Sequence, residues 1–302
     1  MTVTNLGASV TAKLLNLQAT TGRSHQYLID RFAQERFLYR LSTGVHRERF
    51  VLKGALLLTA VSGQFYRATR DIDTRVFAEN DPDAIRTIVT EAIGHEVEDD
   101  GMIFDVESIT LAEIISQRGE EHGLRLGIRG LLGAKVRAHI QLDMGFNDRI
   151  LLPYEAFEYP VLLPEFPAPR VRSYSIESAV AEKLEAIAIL DQLNSRYKDY
   201  DDILVYGAAR PMQIAPLAHA VAVTFETRGT PIERLLPALG ADRATPDREK
   251  AYQSSRKKLG VVGDPTSFVA QLERLRGFVR PLLRYAEDGI VRTWENGIWT
   301  PT

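Results

Sequence analysis

Cysteine is absent from the 302 residues, which removes disulfides, thiolate metal sites and cysteine nucleophiles together. Any metal must be held by oxygen or imidazole. An excess of one charge is missing too. Lys plus Arg is 37 against 40 for Asp plus Glu, a formal charge of −3, so any attraction to nucleic acid must come from local patches. No apolar run approaches the ~18 residues a membrane-spanning helix needs, and the opening MTVTNLGASV has no charged start followed by an apolar core. We therefore expect a cytoplasmic chain with no membrane partner. Repeats and low-complexity tracts are also missing. A hydrophobic content of 45% and a charged content of 25% are those of a folded globular chain, long enough for one large domain or two modest ones.

Along the chain, residues 9 to 42 space Leu14, Leu17, Leu28, Phe32 and Leu41 as a helical stripe, which predicts an N-terminal helical cap over 1–45. From Phe50 to Phe77 the pattern changes to a β-like run, Gly54, an apolar stretch, and a short segment centred on Asp71-Ile72-Asp73. Asp83 to His95 reads as a helix, and Phe104 to Ile115 and Leu124 to Phe146 as strands. In the last of these Val136, Ala138, Ile140 and Leu142 alternate with Arg137, His139, Gln141 and Asp143, so a half-buried strand delivers Asp143 to a polar face. Pro153, Pro160, Pro164, Pro167 and Pro169 are too dense for a helix or central strand and suggest a linker. Beyond it Ser175 to Leu190, Arg196 to Tyr206 and further segments to about Ala286 read as helices. The expected architecture is a mixed α/β domain over 46–160 followed by a helical domain over 161–302.

Asp71 and Asp73, two apart on an extended segment, share one face while Ile72 points into the core. Paired carboxylates repel unless a cation lies between them, and oxygen-only ligation beside phosphate suits Mg²⁺. An isolated D-x-D is more often a solvated turn, so its context matters. Upstream, Lys53-Gly54-Ala55 ends a β-like run before a helix-like stretch, where glycine lets backbone approach a phosphate at a helix N-terminus; a plain strand-to-helix turn reads the same way. Downstream, Asp143 supplies a third carboxylate. Three acids around divalent metal suit in-line phosphoryl or nucleotidyl transfer.

A second signal lies past the prolines. At 100° per residue from Ile176, Lys183 falls at about 340°, inside the apolar arc of Val180, Leu184, Ile187 and Leu190. An inward ammonium needs a partner, because burying it unpaired costs several kcal/mol. In Arg196-Tyr197-Lys198-Asp199-Tyr200-Asp201-Asp202, helical geometry puts Asp199 on the face of Ile203 and Tyr206, with Asp202 at its edge and Asp201 opposite. Lys183 pairs with Asp199 as scaffold, or faces a nucleotide's phosphates as one wall of a site; periodicity allows either.

The order of Arg36-Phe37-Leu38-Tyr39-Arg40, FVLKGALLL (50–58), ATRDID (68–73), QLDMGF (141–146), SAVAEKLEAI (178–187) and RYKDYDD (196–202) resembles the AbiEii/AbiGii toxin family, nucleotidyltransferase-like proteins of the AbiE and MenT type. The resemblance covers roughly the first two-thirds of the chain. It implies an α/β (α+β) nucleotidyltransferase-like mixed-sheet domain of the polymerase-beta superfamily, followed by a mainly α-helical C-terminal domain that contributes to the active-site cleft. It also implies a toxin of a toxin–antitoxin or phage-defence system, with an AbiEi-like antitoxin as partner, an NTP as substrate and RNA, in some relatives the 3′ end of tRNA, as acceptor. By that likeness Asp71 and Asp73 hold Mg²⁺ or Mn²⁺, Asp143 is a third ligand that helps activate the attacking hydroxyl, Lys183 contacts the triphosphate, Asp199 matches the late acidic motif, and Asp202 is counted with the nucleotide-binding residues. The superfamily's Gly-Ser before the D-x-D is Gly54-Ala55 here, so the phosphate grip passes to backbone, Lys53, Thr69 or Arg70. The same fold modifying a protein, or a catalytically idle partner-binding module, are the competing readings.

Other features carry less. Gly119, Gly123, Gly127, Gly130 and Gly133 lack the G-x-x-x-x-G-K-[ST] pattern and suit a hairpin, and the six histidines show no metal-ligand spacing. Residues 241–260 set Arg243, Arg248, Lys250, Arg256, Lys257 and Lys258 against three acids. That is a solvated helix face or, with Arg256, Lys257 and Lys258 foremost, an RNA contact.

Overall fold

A computed structural model describes residues 6–115, 122–133, 136–146, 154–261 and 266–301. Gly119 and Pro153, singled out above, and the side chain of His122, one of the six histidines, lie outside the described residues. The chain divides into two compact units: Met1–Ala60 with Thr69–Asp148 and Tyr154–Ser173, and Val61–Ala68 with Arg149–Pro153 and Tyr174–Thr302.

The first unit opens with α1 (Leu6–Thr21) and α2 (His25–Thr43), the latter capped by Ser24, whose hydroxyl accepts from the Tyr27 amide at 3.3 Å. β1 (Phe50–Lys53) runs directly into α3 (Gly54–Ser62); β2 (Asp71–Val76) and α4 (Pro82–Ile93) follow, with Asp81 as N-cap and Pro82 in the first turn of α4. Then come β3 (Met102–Ile115), β4 (His122–Leu132), β5 (Val136–Gly145), β6 (Glu155–Glu158) and β7 (Arg170–Ser173). They form one sheet in the order β3-β4-β5-β2-β1-β7-β6. The β2–β5 and β1–β7 pairs are parallel and the others antiparallel.

Alternation decides which face is wet. Along β5, Ala138, Ile140, Leu142 and Met144 are buried while Gln141 and Asp143 are only partly so, and along β2 Ile72, Thr74 and Val76 are buried between Asp71, Asp73 and Arg75. Helices α2 and α4 pack on this sheet, with the Phe37 ring edge-on to Phe104 at 5.6 Å.

The proline-dense stretch departs from the linker expectation. Residues 154–173 belong to the sheet unit, carrying the edge strand β6 and then β7, with Tyr159 and Leu163 buried. Pro160, Pro164, Pro167 and Pro169 lie between the two strands rather than within them, which an edge position permits.

The second unit contains α5 (Ile176–Leu190), α6 (Tyr197–Ala209), β8 (Met212–Gln213), α7 (Ile214–Thr227), α8 (Leu235–Ala238), α9 (Pro246–Leu259), α10 (Phe268–Asp288), β9 (Arg292–Glu295) and β10 (Ile298–Pro301). α5 packs against α6, α7 and α8, and α6 packs against α9 and α10. Tyr197, Tyr200, Tyr252 and Phe268 stack edge-on or tilted between α6, α9 and α10, at centroid distances from 5.0 to 6.4 Å. The short sheet β10-β9-β8 closes on Phe278 through Trp294 and Trp299. No described helix is long and apolar enough to cross a membrane.

Candidate active site

Register in the sheet unit assembles a row of charge across four strands. Lys53 on β1 is opposite Asp73 on β2, Asp73 opposite Asp143 on β5, and Asp143 opposite Arg125 on β4. Neighbouring strands are about 4.8 Å apart, so two carboxylates stand side by side with a cation at each end. One rung away Asp71 pairs with Gln141, whose Nε2 donates to Asp71 Oδ1 at 2.7 Å and to Asp143 Oδ1 at 3.4 Å. The three acids foreseen from sequence therefore lie on one face of two adjacent parallel strands.

Arg125 was not foreseen. Its Nε and Nη2 donate to Asp143 Oδ1 and Oδ2 at 2.8 and 2.7 Å, a two-pronged ion pair on a carboxylate only 15% exposed. The Asp143 hydrogen bond, with the charges of Asp143, Asp71 and Asp73, raises the guanidinium's pKa above its ordinary value against a lesser burial penalty. The only sequence signal was alternation: Arg125 and Arg129 fall on the same face of β4 as Gly127, opposite the buried Leu124, Leu126 and Ile128.

Gly54 takes φ +66°, a conformation other residues enter at a cost. A Cβ there would overlap the Asp73 carboxylate. Glycine thus admits Asp73 to the start of α3, where backbone amides favour negative charge. Thr69 donates its hydroxyl to the Asp71 carbonyl at 3.4 Å, and Arg70 is exposed, its carbonyl accepting from Gln34 at 2.7 Å.

An all-oxygen donor set of Asp71, Asp73 and Asp143 fits a hard divalent cation in kind. Among the described residues no three His, Asp or Glu side chains are already arranged as a metal cage. Within the row, both Asp143 oxygens are engaged by Arg125.

The helical unit buries a different constellation. Lys183 Nζ on α5 donates to Asp199 Oδ1 at 2.6 Å and Asp202 Oδ2 at 2.8 Å on α6. Arg67 holds both Asp202 oxygens at 2.8 Å, and Arg196 Nε reaches Asp199 Oδ2 at 2.7 Å. Burial alone would push Lys183 down, but Asp199 and Asp202 outweigh it and hold the ammonium above its usual pKa. Burial would likewise raise both acids, yet Lys183 with Arg196 or Arg67 brings each below the ordinary carboxylate range.

The helical wheel placed Asp201 opposite Asp199. It is buried all the same, because α9 covers that side: Tyr252 Oη donates to Asp201 Oδ1 at 2.8 Å and Arg256 pairs with the same oxygen. Desolvation still keeps Asp201 above its ordinary pKa. Arg256 is thus engaged inside the unit, whereas Lys257 and Lys258 are exposed. Arg248 and Arg243 are also engaged, with Tyr200 and Asp191. Lys198 is half-buried, and desolvation together with Arg67, Lys183 and Arg196 lowers its ammonium's pKa against the pull of Asp199.

A family model described as nucleotidyl transferase AbiEii toxin, type IV TA system, matches residues 36–274, and the chain belongs to that family. It is thereby a nucleotidyltransferase of the toxin side of a type IV toxin–antitoxin system. The crystal structure of JHP933 from Helicobacter pylori is similar over 88% of this chain and 95% of that one, with 16% identity and a TM-score of 0.48. No curated protein matches the sequence.

Proposed function

We propose that this chain moves a nucleoside monophosphate from an NTP to the 3′ end of an RNA, a tRNA foremost, in a Mg²⁺- or Mn²⁺-dependent reaction of the polymerase-beta type in the cytoplasm. Growth inhibition, in a setting that includes phage defence, is released by an AbiEi-like antitoxin. The observation that supports this reading best is the Asp73–Asp143 pairing on β2 and β5 beside Asp71, in a chain of a nucleotidyltransferase family.

In this reading Asp71 and Asp73 hold the divalent ion, with Asp143 joining them. The ion, when bound, supplies charge neutralisation at the triphosphate. Asp143 accepts the proton of the attacking hydroxyl as that oxygen bonds to the α-phosphorus; the bond to the bridging oxygen breaks, and pyrophosphate leaves with the electron pair. Lys53, Gly54, Thr69 and Arg70 line the phosphate side, the backbone at Gly54 replacing the missing serine. Lys183 is assigned to neutralising the triphosphate, Asp199 to orienting or assisting it, and Asp202 to the nucleotide-binding residues; the three are held together within the helical unit. Lys257 and Lys258, being exposed, are the RNA contacts of α9, with Arg256 fixing that helix to α6.

The test is incubation of the purified chain with total RNA, Mg²⁺ and each α-³²P-labelled NTP separately, with Asp71→Ala alongside. Label in a tRNA-sized band from the unsubstituted chain only is the expected result. Label that migrates with protein after nuclease treatment would replace RNA by a protein acceptor, and equal labelling by Asp71→Ala would remove the carboxylates from the mechanism.

A further inference from the structure

The row Lys53–Asp73–Asp143–Arg125 is self-neutralising, two cations for two acids, and its outer cation is partly exposed. The Arg125 side chain is 44% exposed and sits on β4, beyond the strands that carry the acids. Its fork takes both oxygens of Asp143, while Gln141 takes a third contact on the same carboxylate. Three of the roughly four lone-pair sites on the two Asp143 oxygens are thus taken, and a metal ion must compete there with a unit positive charge. Asp71, one rung away, accepts from the neutral Gln141 amide.

We infer that Arg125 is a placeholder cation: it occupies the third carboxylate of the metal site and withholds Asp143 from the divalent ion until that ion displaces it. This rests on the proposed metal role of Asp71 and Asp73, and assigns to Arg125 a positioning role acting through Asp143. An arginine that merely propped Asp143 in a ligating pose would hold the carboxylate in place for the ion, and its loss would weaken metal binding, as removal of such outer partners does by about 10–100-fold. A placeholder has the opposite sign. Its loss frees a carboxylate and removes a unit positive charge from the neighbourhood, which strengthens metal binding on the order of tenfold at this exposure. Because the pair is exposed at its arginine end, the exchange needs a side-chain rotation and no unfolding.

The deciding experiment is Mn²⁺ titration of the full chain without nucleotide, read by the electron paramagnetic resonance of free Mn²⁺. It compares the unsubstituted chain, Arg125→Gln, Arg125→Lys, Asp71→Asn, and Arg125→Gln combined with Asp143→Asn. Expected are binding to the unsubstituted chain, about tenfold tighter binding by Arg125→Gln, an intermediate value for Arg125→Lys, and loss of the gain in the double variant. Unchanged or weaker binding by Arg125→Gln, with Asp71→Asn still abolishing it, overturns the placeholder and leaves the metal reading standing. Binding that ignores Asp71→Asn, or none in any variant, overturns both. Tighter binding that survives Asp143→Asn overturns the route through Asp143.

Discussion

Helix α2 of the sheet unit and helix α6 of the helical unit both bury a run of charge, and they settle the cost of burial in opposite ways. On α6, Asp199 and Asp202 share Lys183 and are each held by an arginine, so pairing overcomes desolvation and both acids sit below their ordinary pKa. On α2, Arg31, Glu35 and Arg36 are at most 2% exposed, yet Glu35 Oε1 lies 3.7 Å from Arg31 Nε and makes no hydrogen bond. Desolvation wins there. Glu35 is pushed up to about 7 and both arginines fall below their usual range. Arg36 spends one nitrogen on the Pro167 carbonyl at 2.9 Å and rests among Phe32, Tyr39 and Phe166. Only its neighbour Arg40, held to both Asp100 oxygens at 2.7 and 3.1 Å, resembles the pairing on α6.

The lesson is that buried charge does not by itself mark a site. The α2 cluster fastens residues 159–167 to the sheet unit through Tyr159, Leu162 and Pro167. The α6 cluster is satisfied almost completely. The half-buried carboxylates on β2 and β5 are where a solvated ligand finds acceptor oxygens.

The contrast breaks most sharply at Lys183. Lys183→Met leaves two buried carboxylates short of a cation, and we expect a loss of about 3–5 kcal/mol in urea unfolding. A loss below about 1 kcal/mol would mean that Arg67 and Arg196 suffice. Because stability and transfer fall together in this variant, Lys183 is best read through Lys183→Arg, which keeps the charge.

Next in size is Gly54→Ala. The positive φ and the overlap with Asp73 together cost about 1–3 kcal/mol and displace that carboxylate, so transfer falls further than the unfolding midpoint does. Transfer and midpoint falling in proportion would assign Gly54 to folding alone.

A third prediction separates the two clusters by pH. Glu35 binds its proton more tightly folded than unfolded, so its contribution to stability is full below about 4.5 and is lost as pH rises through about 7. Asp199 and Asp202 are depressed, so their contribution is present above about 3.8 and is lost as pH falls below it. Glu35→Gln should flatten the first decline between pH 4.5 and 7 and leave the acid limb unchanged, as measured by urea midpoints taken across both limbs. A decline that persists in Glu35→Gln would place its origin elsewhere.

Much of this arrangement was legible in the residues because it rests on local periodicity. The period of two put Ile72 inside and Asp71 and Asp73 outside, and the alternation of β5 did the same for Asp143. A wheel of 100° per residue turned Lys183 and Asp199 inward, where they meet at 2.6 Å. What could not be read depends on partners far away in the chain. Arg125 is opposite Asp143 through strand register, Asp201 is buried by a helix fifty residues on, and Arg67 reaches Asp202 across 135 residues. The prolines misled for a related reason: their density forbids central strands, but not an edge strand and its flanks.

The most direct measurement is the rate of NTP-dependent label transfer by Asp73→Asn, taken alongside its urea unfolding midpoint. Asp73 is partly exposed and its replacement is isosteric, so the unfolding free energy should stay within about 1 kcal/mol of the unsubstituted chain. The transfer rate should fall by about a thousandfold or more, since the lost charge is the one that neutralises the triphosphate through the ion. Transfer at the unsubstituted rate, from a chain that unfolds at the unsubstituted midpoint, would contradict the assignment of the β2–β5 carboxylates to the chemistry.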